Sequence, residues 1–285
     1  MSRIAYVNGQ YVPLREAGVH IEDRGYQFAD GIYEVCLVID GRYWDLEGHL
    51  TRMERSLKEL QIAMPLPTSA LKIVMGELIN RNRLKNALVY IQTTRGVAPR
   101  NHPFPDGDIE PALVMTAKRF DLDQSDAKAA KGINVITQPD IRWGRVDIKT
   151  IGLLPNALAK QAAKVAGADE AWLIREDGKV TEGSSSNAWI VDARGTLITH
   201  PKTNQILGGI TRQTAMACAQ ELQIKVEERA FTPEEALNAS EAFLSSATGL
   251  IMPIVQIDGK TVGNGAPGPI SLRLREAYKA RARAV

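Results

Sequence analysis

The stretch Ile141-Arg-Trp-Gly-Arg-Val-Asp-Ile-Lys149-Thr150 places a lysine between two apolar parts of the chain. Residues 133–136 before it form an apolar run typical of a strand, and Ile151-Gly-Leu-Leu-Pro follows it. We expect this segment to leave the core as a strand. A lysine on a strand is ordinarily solvated, but an amine held beside a core loses hydration and becomes a nucleophile towards carbonyl groups. Lys149 is therefore a candidate Schiff-base lysine.

Length and composition leave room for one large domain or two ordinary ones, since 44% of the 285 residues are hydrophobic. The 35 Lys and Arg residues nearly balance 33 Asp and Glu, which points to no nucleic-acid or membrane partner. Cys36 and Cys218 lie far apart without metal-site spacing, so we expect buried free thiols in a reducing compartment. With no signal-like N-terminus and no long apolar run, we expect a soluble cytoplasmic protein.

Hydrophobic periodicity predicts the elements of the first part of the chain. Asn8-Gly9 between apolar pairs predicts a β-hairpin, and Asp40-Gly41 predicts a second tight turn. Leucine and methionine recur at helical spacing over residues 46–60, and a second helix follows. Residues 87–94 and 112–117 are strand-like runs on either side of a long loop. This order is typical of an α+β fold and not of alternating βαβ units.

Residues 121–131 are polar and poor in large apolar side chains, so we expect a linker there. It would divide an N-terminal domain of residues 1–120 from a C-terminal domain of residues 132–285. The second part predicts mainly strands. Its helices are expected over residues 153–166 and 270–282, with a third that is opened by residues 206–211 and runs to about residue 222.

A pyridoxal phosphate enzyme also needs an anion for the ring nitrogen and a phosphate site. Glu182, in a loop after a strand and before three serines, is either a solvated turn carboxylate or that anion, with the serines as nearby donors. Leu207-Gly-Gly-Ile210-Thr211 predicts a glycine turn before a helix, whose free N–H groups suit a phosphate, although most such turns are structural. Arg52 either adds a cation to the same phosphate or only caps a groove, and Ser246-Ala-Thr248 at a strand end could add further N–H donors.

A substrate carboxylate would need a third site. Arg100 and His102 lie two residues apart in a loop bounded by prolines, so they would project in the same direction if the loop is extended. The ordinary alternative is a mobile loop with two polar tips. Tyr33, at the entry to a strand, either belongs to the core or presents its hydroxyl to the site.

Together these motifs resemble those of the fold type IV pyridoxal-phosphate aminotransferases, and most closely the branch that acts on D-amino acids. They occur in the order found in that family and span most of the chain. The matching stretches begin at Glu22, Thr94, Ile141, Thr181 and Gly209, and read EDRGYQFADGIYEV, TRGVAPRNH, IRWGRVDIK, TEGSSSN and GITR.

The resemblance implies a homodimer of two-domain subunits, with pyridoxal 5′-phosphate in the cleft between a smaller N-terminal α/β domain and a larger strand-rich domain. Lys149 would form the Schiff base and then carry a proton, while Glu182 would face the ring nitrogen. Arg52 and the N–H groups of Ile210 and Thr211 would hold the phosphate. The side that holds the cofactor would also include Leu207, Ser246 and Ala247.

In the D-selective branch, residues matching Tyr33, Arg100 and His102 bind the substrate carboxylate, the last two reaching in from the partner subunit. The resemblance thus implies transfer of the amino group of a D-amino acid, of the D-alanine type, to a 2-oxo acid such as 2-oxoglutarate.

Four positions depart from the pattern of the family. Val146 stands where the family often has Cys, Thr150 where it has Ser, and Ala247 where it often has Thr, which removes one hydroxyl from the phosphate side. Gly208 replaces a bulkier residue.

Other activities remain open at this point. An L-branched-chain aminotransferase would use the same lysine and glutamate, although the Arg100 and His102 pair favours the D-selective arrangement. An (R)-amine transaminase would have no need of a carboxylate site. A 4-amino-4-deoxychorismate lyase shares the fold and the lysine, and a non-catalytic binding protein is the alternative outside enzymes.

Overall fold

The computed structural model describes residues 3–284, which form two compact units. One unit runs to Phe120 and also contains Ile148–Gly152, and the other comprises Asp121–Asp147 and the chain from Leu153 onwards. The chain therefore returns briefly to the first unit at Lys149, within the region that we had assigned to the C-terminal domain.

The first unit is built on a six-stranded antiparallel sheet with the strand order β2-β1-β6-β5-β3-β4. Its strands are β1 (Ile4–Val7), β2 (Gln10–Pro13), β3 (Gly31–Ile39), β4 (Arg42–Trp44), β5 (Ala87–Thr94) and β6 (Ala112–Arg119). Its helices are α1 (Arg24–Phe28), α2 (Leu46–Glu59) and α3 (Thr68–Arg81), with a 3-10 turn at Leu14–Glu16.

Both predicted tight turns are confirmed. Asn8 and Gly9 have φ angles of 45° and 92°, and Asp40 and Gly41 have φ angles of 51° and 76°. Two consecutive residues with positive φ are the geometry of a type I′ hairpin, which Asn-Gly and Asp-Gly adopt at little cost. These turns fix the registers of β1 with β2 and of β3 with β4.

The core of the first unit is formed by the apolar faces of α2 and α3 against the sheet. Leu50, Met53 and Leu57 of α2 are fully or nearly buried there, as predicted from their helical spacing. Ile148 belongs to the same core, which explains why the segment that carries Lys149 belongs to this unit.

The segment around Lys149 is not the strand that we predicted. It forms one isolated bridge, between Thr150 and Ile32. The N–H of Thr150 donates to the carbonyl of Ile148 (2.8 Å), and the N–H of Gly152 donates to Oγ1 of Thr150 (2.9 Å). These local hydrogen bonds bend the chain and prevent a longer ladder.

The second unit is built on a nine-stranded mixed sheet with the order β12-β11-β10-β13-β14-β7-β8-β9, and β15 pairs with β14. Strand β7 runs parallel to β8 and β14, and β11 runs parallel to β12. The strands are β7 (Ile133–Pro139), β8 (Glu170–Ile174), β9 (Val180–Gly183), β10 (Asn187–Val191), β11 (Leu197–Thr199), β12 (Val226–Glu228), β13 (Glu241–Ser246), β14 (Leu250–Ile257) and β15 (Lys260–Thr261). The helices are α4 (Leu122–Lys131), α5 (Leu154–Val165), α6 (Ile210–Glu221), α7 (Pro233–Leu237) and α8 (Pro269–Ala284).

Residues 122–131, which we predicted as part of a linker, form helix α4. Asp121 caps the helix by accepting a hydrogen bond from the N–H of Gln124 (2.9 Å), and Ala129 is buried in the core of the second unit. The polar composition of this segment belongs to a helix that buries one small residue and exposes most of the others.

Two further expectations concern membranes and thiols. Helices that combine the length and apolar character needed to cross a bilayer do not occur among residues 3–284. Cys36 and Cys218 are both buried thiols, as predicted.

Candidate active site

Lys149 lies beside the first residues of strand β3. Its carbonyl accepts a hydrogen bond from the N–H of Tyr33 (3.0 Å), and its Nζ lies 4.0 Å from the centroid of the Tyr33 ring. The edge of β3 is available here because β4 pairs only with residues 37–39. Lys149 is half-buried, less enclosed than we predicted, and its amine is directed by the face of an aromatic ring.

Tyr33 is itself held in place by a second tyrosine. Its ring stacks on Tyr90 with centroids 5.6 Å apart and an interplanar angle of 28°, and the Tyr90 hydroxyl donates to Gln92 (2.7 Å). Burial, and secondarily the neighbouring Tyr33, raises the pKa of Tyr90 to about 12. Tyr90 therefore stays neutral in the physiological pH range, and the stacked pair gives the Lys149 amine a fixed neighbour.

Arg52 is fixed by a buried carboxylate. Its Nε and Nη2 donate to the two oxygens of Glu34, each at 2.7 Å, and Nδ1 of His49 lies 2.8 Å from the same carboxylate. Burial alone would raise the pKa of Glu34, but the charge and hydrogen bonds of Arg52, followed by those of His49, lower it to about 2. The guanidinium is therefore oriented before any ligand arrives, as a phosphate site requires.

Arg100 and His102 are both exposed, and they share one aromatic neighbour. The Arg100 guanidinium carbon lies 5.1 Å from the centroid of the Phe28 ring, and the His102 ring lies 5.5 Å from it. Their loop is not a strand, so their common position comes from Phe28 and not from strand alternation. The backbone of the loop is held by Arg24, whose Nη1 donates to the carbonyl of Asn101 (2.6 Å).

A buried ionic cluster supports this loop. Asp30 accepts hydrogen bonds from Nε of Arg24 (2.8 Å) and Nε of Arg95 (2.7 Å), and all three side chains are nearly inaccessible to solvent. Arg95 also donates to the carbonyls of Leu60 and Gln61. The loop that carries Arg100 is therefore anchored by a rigid, buried cluster.

In the second unit, Glu182 lies on strand β9 and is only 4% exposed, so the predicted loop position is wrong. Its carboxylate accepts hydrogen bonds from Nη1 of Arg142 (2.5 Å), Nδ2 of Asn187 (2.8 Å) and the N–H of Leu207 (3.1 Å). These three donors define the orientation of the carboxylate. The N–H of Leu207, which we had placed on the side that holds the cofactor, is directed at Glu182.

The charge of Glu182 depends on Arg142. Burial raises the pKa of Glu182, and Arg142 and the N–H of Leu207 oppose that effect. Arg142 is itself oriented by Asp140, whose carboxylate accepts hydrogen bonds from Nη2 (2.8 Å) and Nε (2.9 Å) of Arg142. Although burial alone would raise the pKa of Asp140, the hydrogen bonds and charge of Arg142 lower it. The carboxylate of Glu182 is thus held in one orientation beside a guanidinium, an arrangement that suits a protonated ring nitrogen.

The three serines after Glu182 do not serve it, contrary to our expectation. The hydroxyls of Ser184, Ser185 and Ser186 all donate to Glu170, which is 2% exposed at the start of β8. The serine run is therefore structural, because it satisfies a buried carboxylate and so fixes the connection between β9 and β10.

Helix α6 begins at Ile210 with Gly209 as its N-cap, as the Gly-Gly turn predicted. The N–H groups of the first helical turn, which include those of Ile210 and Thr211, face away from the helix and suit an anion. A Cβ on residue 209 would lie 2.0 Å from Oδ1 of Asn187, so only glycine allows Asn187 to reach Glu182 here. The same glycine thus begins the helix of the predicted phosphate site and leaves room for Asn187, which orients Glu182 at the predicted ring-nitrogen site.

Ser246 is the last residue of β13, so the predicted strand end is confirmed. Its Oγ accepts a hydrogen bond from the N–H of Gly249 (2.9 Å), which closes a turn at residues 247–249. Ala247 lies in this turn and contributes its backbone alone.

The donor groups of each unit fit a phosphorylated pyridoxal by chemical type. The first unit supplies an amine, a guanidinium and a tyrosine, and the second supplies a buried anion, a helix N-terminus and a turn. Residues 31–257 match the family model described as amino-transferase class IV.

The chain belongs to the class IV aminotransferases.

Similar proteins and structures agree with this family. The D-alanine aminotransferase of Bacillus licheniformis is 41% identical to this aminotransferase over 95% of this chain and 94% of that protein. That of Staphylococcus haemolyticus is also 41% identical, over 96% and 95%.

Solved structures share the fold. The branched-chain amino acid aminotransferase of Escherichia coli superposes with a TM-score of 0.90 at 23% identity, over 99% of this chain and 95% of that one. The T.th. branched-chain amino acid aminotransferase complexed with N-(5′-phosphopyridoxyl)-L-glutamate has a TM-score of 0.88 at 25% identity, over 100% and 95%. The predicted fold type IV architecture and the predicted aminotransferase class that uses pyridoxal 5′-phosphate are confirmed.

The sequence did not reveal the residues whose hydrogen bonds orient the predicted site residues. Glu34 carried a usable signal, because it alternates with Ile32 and Cys36 on the core face of β3, and a carboxylate there requires a partner. Asp140 and Arg142 flank Ile141 at the start of the decisive stretch, yet 40 residues separate Arg142 from Glu182 along the chain. Local patterns do not reveal such pairs.

Proposed function

We propose that this aminotransferase transfers the amino group of a D-amino acid, of the D-alanine type, to a 2-oxo acid such as 2-oxoglutarate. The observation that carries the proposal is the 41% identity to D-alanine aminotransferases over nearly the whole chain. The pair of Arg100 and His102 on Phe28 supports it, since a guanidinium and an imidazole placed together suit a carboxylate.

Pyridoxal 5′-phosphate supplies an aldehyde and an electron-withdrawing ring that stabilises the charge left when a Cα proton departs. Lys149 would hold the aldehyde through Nζ, and the same atom would take up and return the substrate proton. Tyr33 directs Nζ through its ring face, 4.0 Å away. The hydrogen bond from the N–H of Tyr33 to the carbonyl of Lys149 ties the backbone of this residue to β3, so the side chain starts from a fixed point.

The carboxylate of Glu182 would accept a hydrogen bond from the protonated ring nitrogen of the cofactor. Arg142, Asn187 and the N–H of Leu207 keep its carboxylate in one orientation. Arg52 and the N–H groups of Ile210 and Thr211 bind the phosphate, and the turn that contains Ala247 adds further donors.

Tyr33, Arg100 and His102 bind the substrate carboxylate in this proposal. The resemblance to the D-selective branch places the last two in the partner subunit, so we also propose a homodimer. Helix α5 supports an interface between chains, because Leu154, Leu158 and Val165 are 72%, 55% and 79% exposed.

Two coarser proposals concern organisation and location. We propose that the two compact units are the two domains of the subunit, so that α4 belongs to the second domain and Ile148–Gly152 to the first. We propose a cytoplasmic location, because Cys36 and Cys218 are buried as thiols and a reducing compartment preserves them.

The test follows the absorbance of the purified holoenzyme on addition of D-alanine or L-alanine in the absence of a 2-oxo acid. We expect the absorbance band to shift with D-alanine and not with L-alanine. A shift with L-amino acids alone, or with an amine that lacks a carboxylate, would overturn the proposal. Release of pyruvate from 4-amino-4-deoxychorismate without an acceptor would indicate a lyase.

Borohydride reduction followed by mass spectrometry tests the role of Lys149. We expect the pyridoxyl adduct on Lys149, its loss in Lys149→Ala, and its retention in Lys164→Ala, which removes an exposed lysine on α5. An adduct elsewhere in the wild-type protein would contradict the assignment.

A further inference from the structure

Helix α8 carries a buried polar stripe that the proposed function does not use. Ser271, Arg275 and Lys279 follow one another at intervals of four residues, and they are 0%, 2% and 8% exposed. Four-residue spacing places them on one face of the helix. Cations are seldom buried unless they are paired, so a stripe of this kind indicates a specific set of partners.

Arg275 connects two parts of the second unit. Its Nη1 donates to the carbonyls of Gly249 (3.0 Å) and Ile251 (2.7 Å), while Nε and Nη2 donate to Oδ1 of Asp126 on α4 (3.0 Å and 2.9 Å). Nη2 also donates to the hydroxyl of Ser125 (2.8 Å). One guanidinium therefore joins α4 to the turn between β13 and β14.

The residue between those two carbonyls has an unusual backbone. Leu250 has a φ of 58°, in the left-handed region that branched side chains rarely adopt, and its side chain is completely buried. The carbonyls on either side of it converge on the single Nη1 of Arg275. Such a conformation persists only where its surroundings hold it, and Arg275 is the group that does so on this side.

The left-handed residue sets the shape of the turn at residues 247–249, which follows β13. From the other side, Oγ of Ser246 accepts a hydrogen bond from the N–H of Gly249. The turn is thus held at both ends, and the backbone N–H groups of Ala247 and Thr248 keep one arrangement.

We infer that Arg275 is a positioning residue, which, anchored by Asp126, holds the turn after β13 so that its N–H groups can bind the phosphate of the cofactor. The inference rests on the proposed function, in which this turn faces the phosphate. The polar segment of residues 121–131 then has a role, because α4 supplies the anchor.

Lys279 provides a matched control. Its Nζ binds Oδ2 of the same Asp126 (2.8 Å) and Glu276 (3.0 Å), on the same helix and with similar burial. Loss of Lys279 removes a buried cation and a contact to Asp126, whereas loss of Arg275 also removes two hydrogen bonds to the turn. A merely structural role of the stripe predicts similar effects of the two substitutions.

The experiment compares the binding of pyridoxal phosphate and of pyridoxal, which lacks the phosphate, to wild type, Arg275→Met, Arg275→Lys and Lys279→Met. Each holoenzyme is first depleted of cofactor and then titrated, with binding followed by absorbance. For Arg275→Met we expect the Kd for pyridoxal phosphate to rise about tenfold, the size of one lost hydrogen bond to a charged group, with little change for pyridoxal. For Lys279→Met we expect the ratio of the two constants to remain that of wild type.

Three results would overturn the inference: unchanged binding of pyridoxal phosphate in the Arg275 variants, equal weakening of both ligands, or the same change of ratio in Lys279→Met. Should Arg275→Met fail to fold, Arg275→Lys is measured in its place, because it keeps the charge. The ratio of its Kd values for pyridoxal phosphate and pyridoxal then decides the question. Failure of the proposed function is distinguishable, because wild type would then give no band shift with D-alanine, while the ratio of the two binding constants is measured without any amino acid.

Discussion

At the scale of single residues, Glu34 determines the orientation of Arg52 and links stability to pH. Its pKa falls from 4.5 to about 2 on folding, because the charge and hydrogen bonds of Arg52 outweigh the effect of burial. A carboxyl whose pKa is lowered on folding stabilises the protein above its unfolded pKa. That contribution is lost as the pH falls from about 4.5 towards 2.

We therefore expect Glu34→Gln to lower the free energy of unfolding at neutral pH by on the order of 3 kcal/mol, the equivalent of the pKa shift. The difference from wild type should shrink as the pH falls through this window. Urea unfolding at several pH values measures it. Glu47→Gln is the control, because Glu47 lies on the same helix as Arg52 but pairs with Lys72 at the surface. Equal loss in both variants would contradict the prediction.

Arg142 controls the ionisation of Glu182. Burial raises the pKa of Glu182, and Arg142 is the first of the groups that oppose it. We expect Arg142→Met to raise that pKa further, so that the acidic limb of the pH–rate profile moves to higher pH. Arg145→Met is the control, since Arg145 pairs with Asp147. An unshifted profile in Arg142→Met would show that Arg142 does not set the charge of Glu182.

The residue types in the sequence predicted the chemical groups of the site, but not the residues that orient those groups. A lysine between apolar runs and a glutamate before three serines are visible in the sequence, whereas the link from Arg142 to Glu182 arises only on folding. The serines show the same limit. Their hydroxyls serve Glu170 and not Glu182, because the strand pairing of β8 with β9 decides which carboxylate they meet.

At the scale of elements, the N-terminus of α6 depends on two glycines that differ in their surroundings. A Cβ at Gly209 would lie 2.0 Å from Oδ1 of Asn187, the side chain that donates to Glu182. The three atoms nearest to a Cβ at Gly208 all belong to the Lys202 side chain, and its flexible Cε is the nearest at 2.9 Å. Two adjacent positions thus carry very different steric constraints.

We expect Gly209→Ala to displace Asn187 and to weaken cofactor binding at least about tenfold, since both the helix start and a hydrogen bond to Glu182 are disturbed. Gly208→Ala should leave binding within about twofold of wild type, because the end of a lysine side chain can move. Titration of each protein with pyridoxal phosphate gives the comparison. A larger effect at Gly208 would contradict the steric argument.

Elements defined by local chemistry were predictable, and those defined by packing were not. Asn8-Gly9 and Asp40-Gly41 determine their turns through their own backbone preferences. Helix α4 was missed because a polar helix has the composition of a linker. The Lys149 segment was mistaken for a strand because apolar flanks do not distinguish a strand from a bent segment that packs by Ile148 alone.

At the scale of the whole molecule, the chain leaves the first unit after Phe120 and returns to it for Ile148–Gly152. The proposed nucleophile Lys149 thus belongs by packing to the unit that also carries Tyr33 and Arg52. Since the resemblance to the D-selective branch assigns Arg100 and His102 to the partner subunit, a complete site would need two chains. This requirement can be tested without a structure of the dimer.

We expect two inactive variants, Lys149→Ala and Arg100→Ala, to restore activity when they are unfolded together, refolded and allowed to pair. In a mixed dimer, one site combines Lys149 of one chain with Arg100 of the other, and the second site lacks both. Random pairing in a twofold dimer makes half of the dimers mixed, so about a quarter of the wild-type sites should be recovered. D-alanine transamination before and after mixing measures this.

Two control mixtures should recover no activity: Lys149→Ala with Glu182→Ala, and Arg100→Ala with His102→Ala. In each of them both altered residues belong to the same side of the shared site, so every site of a mixed dimer lacks one of the two. Recovery in either control, or none in the first mixture, would contradict a site shared in this way.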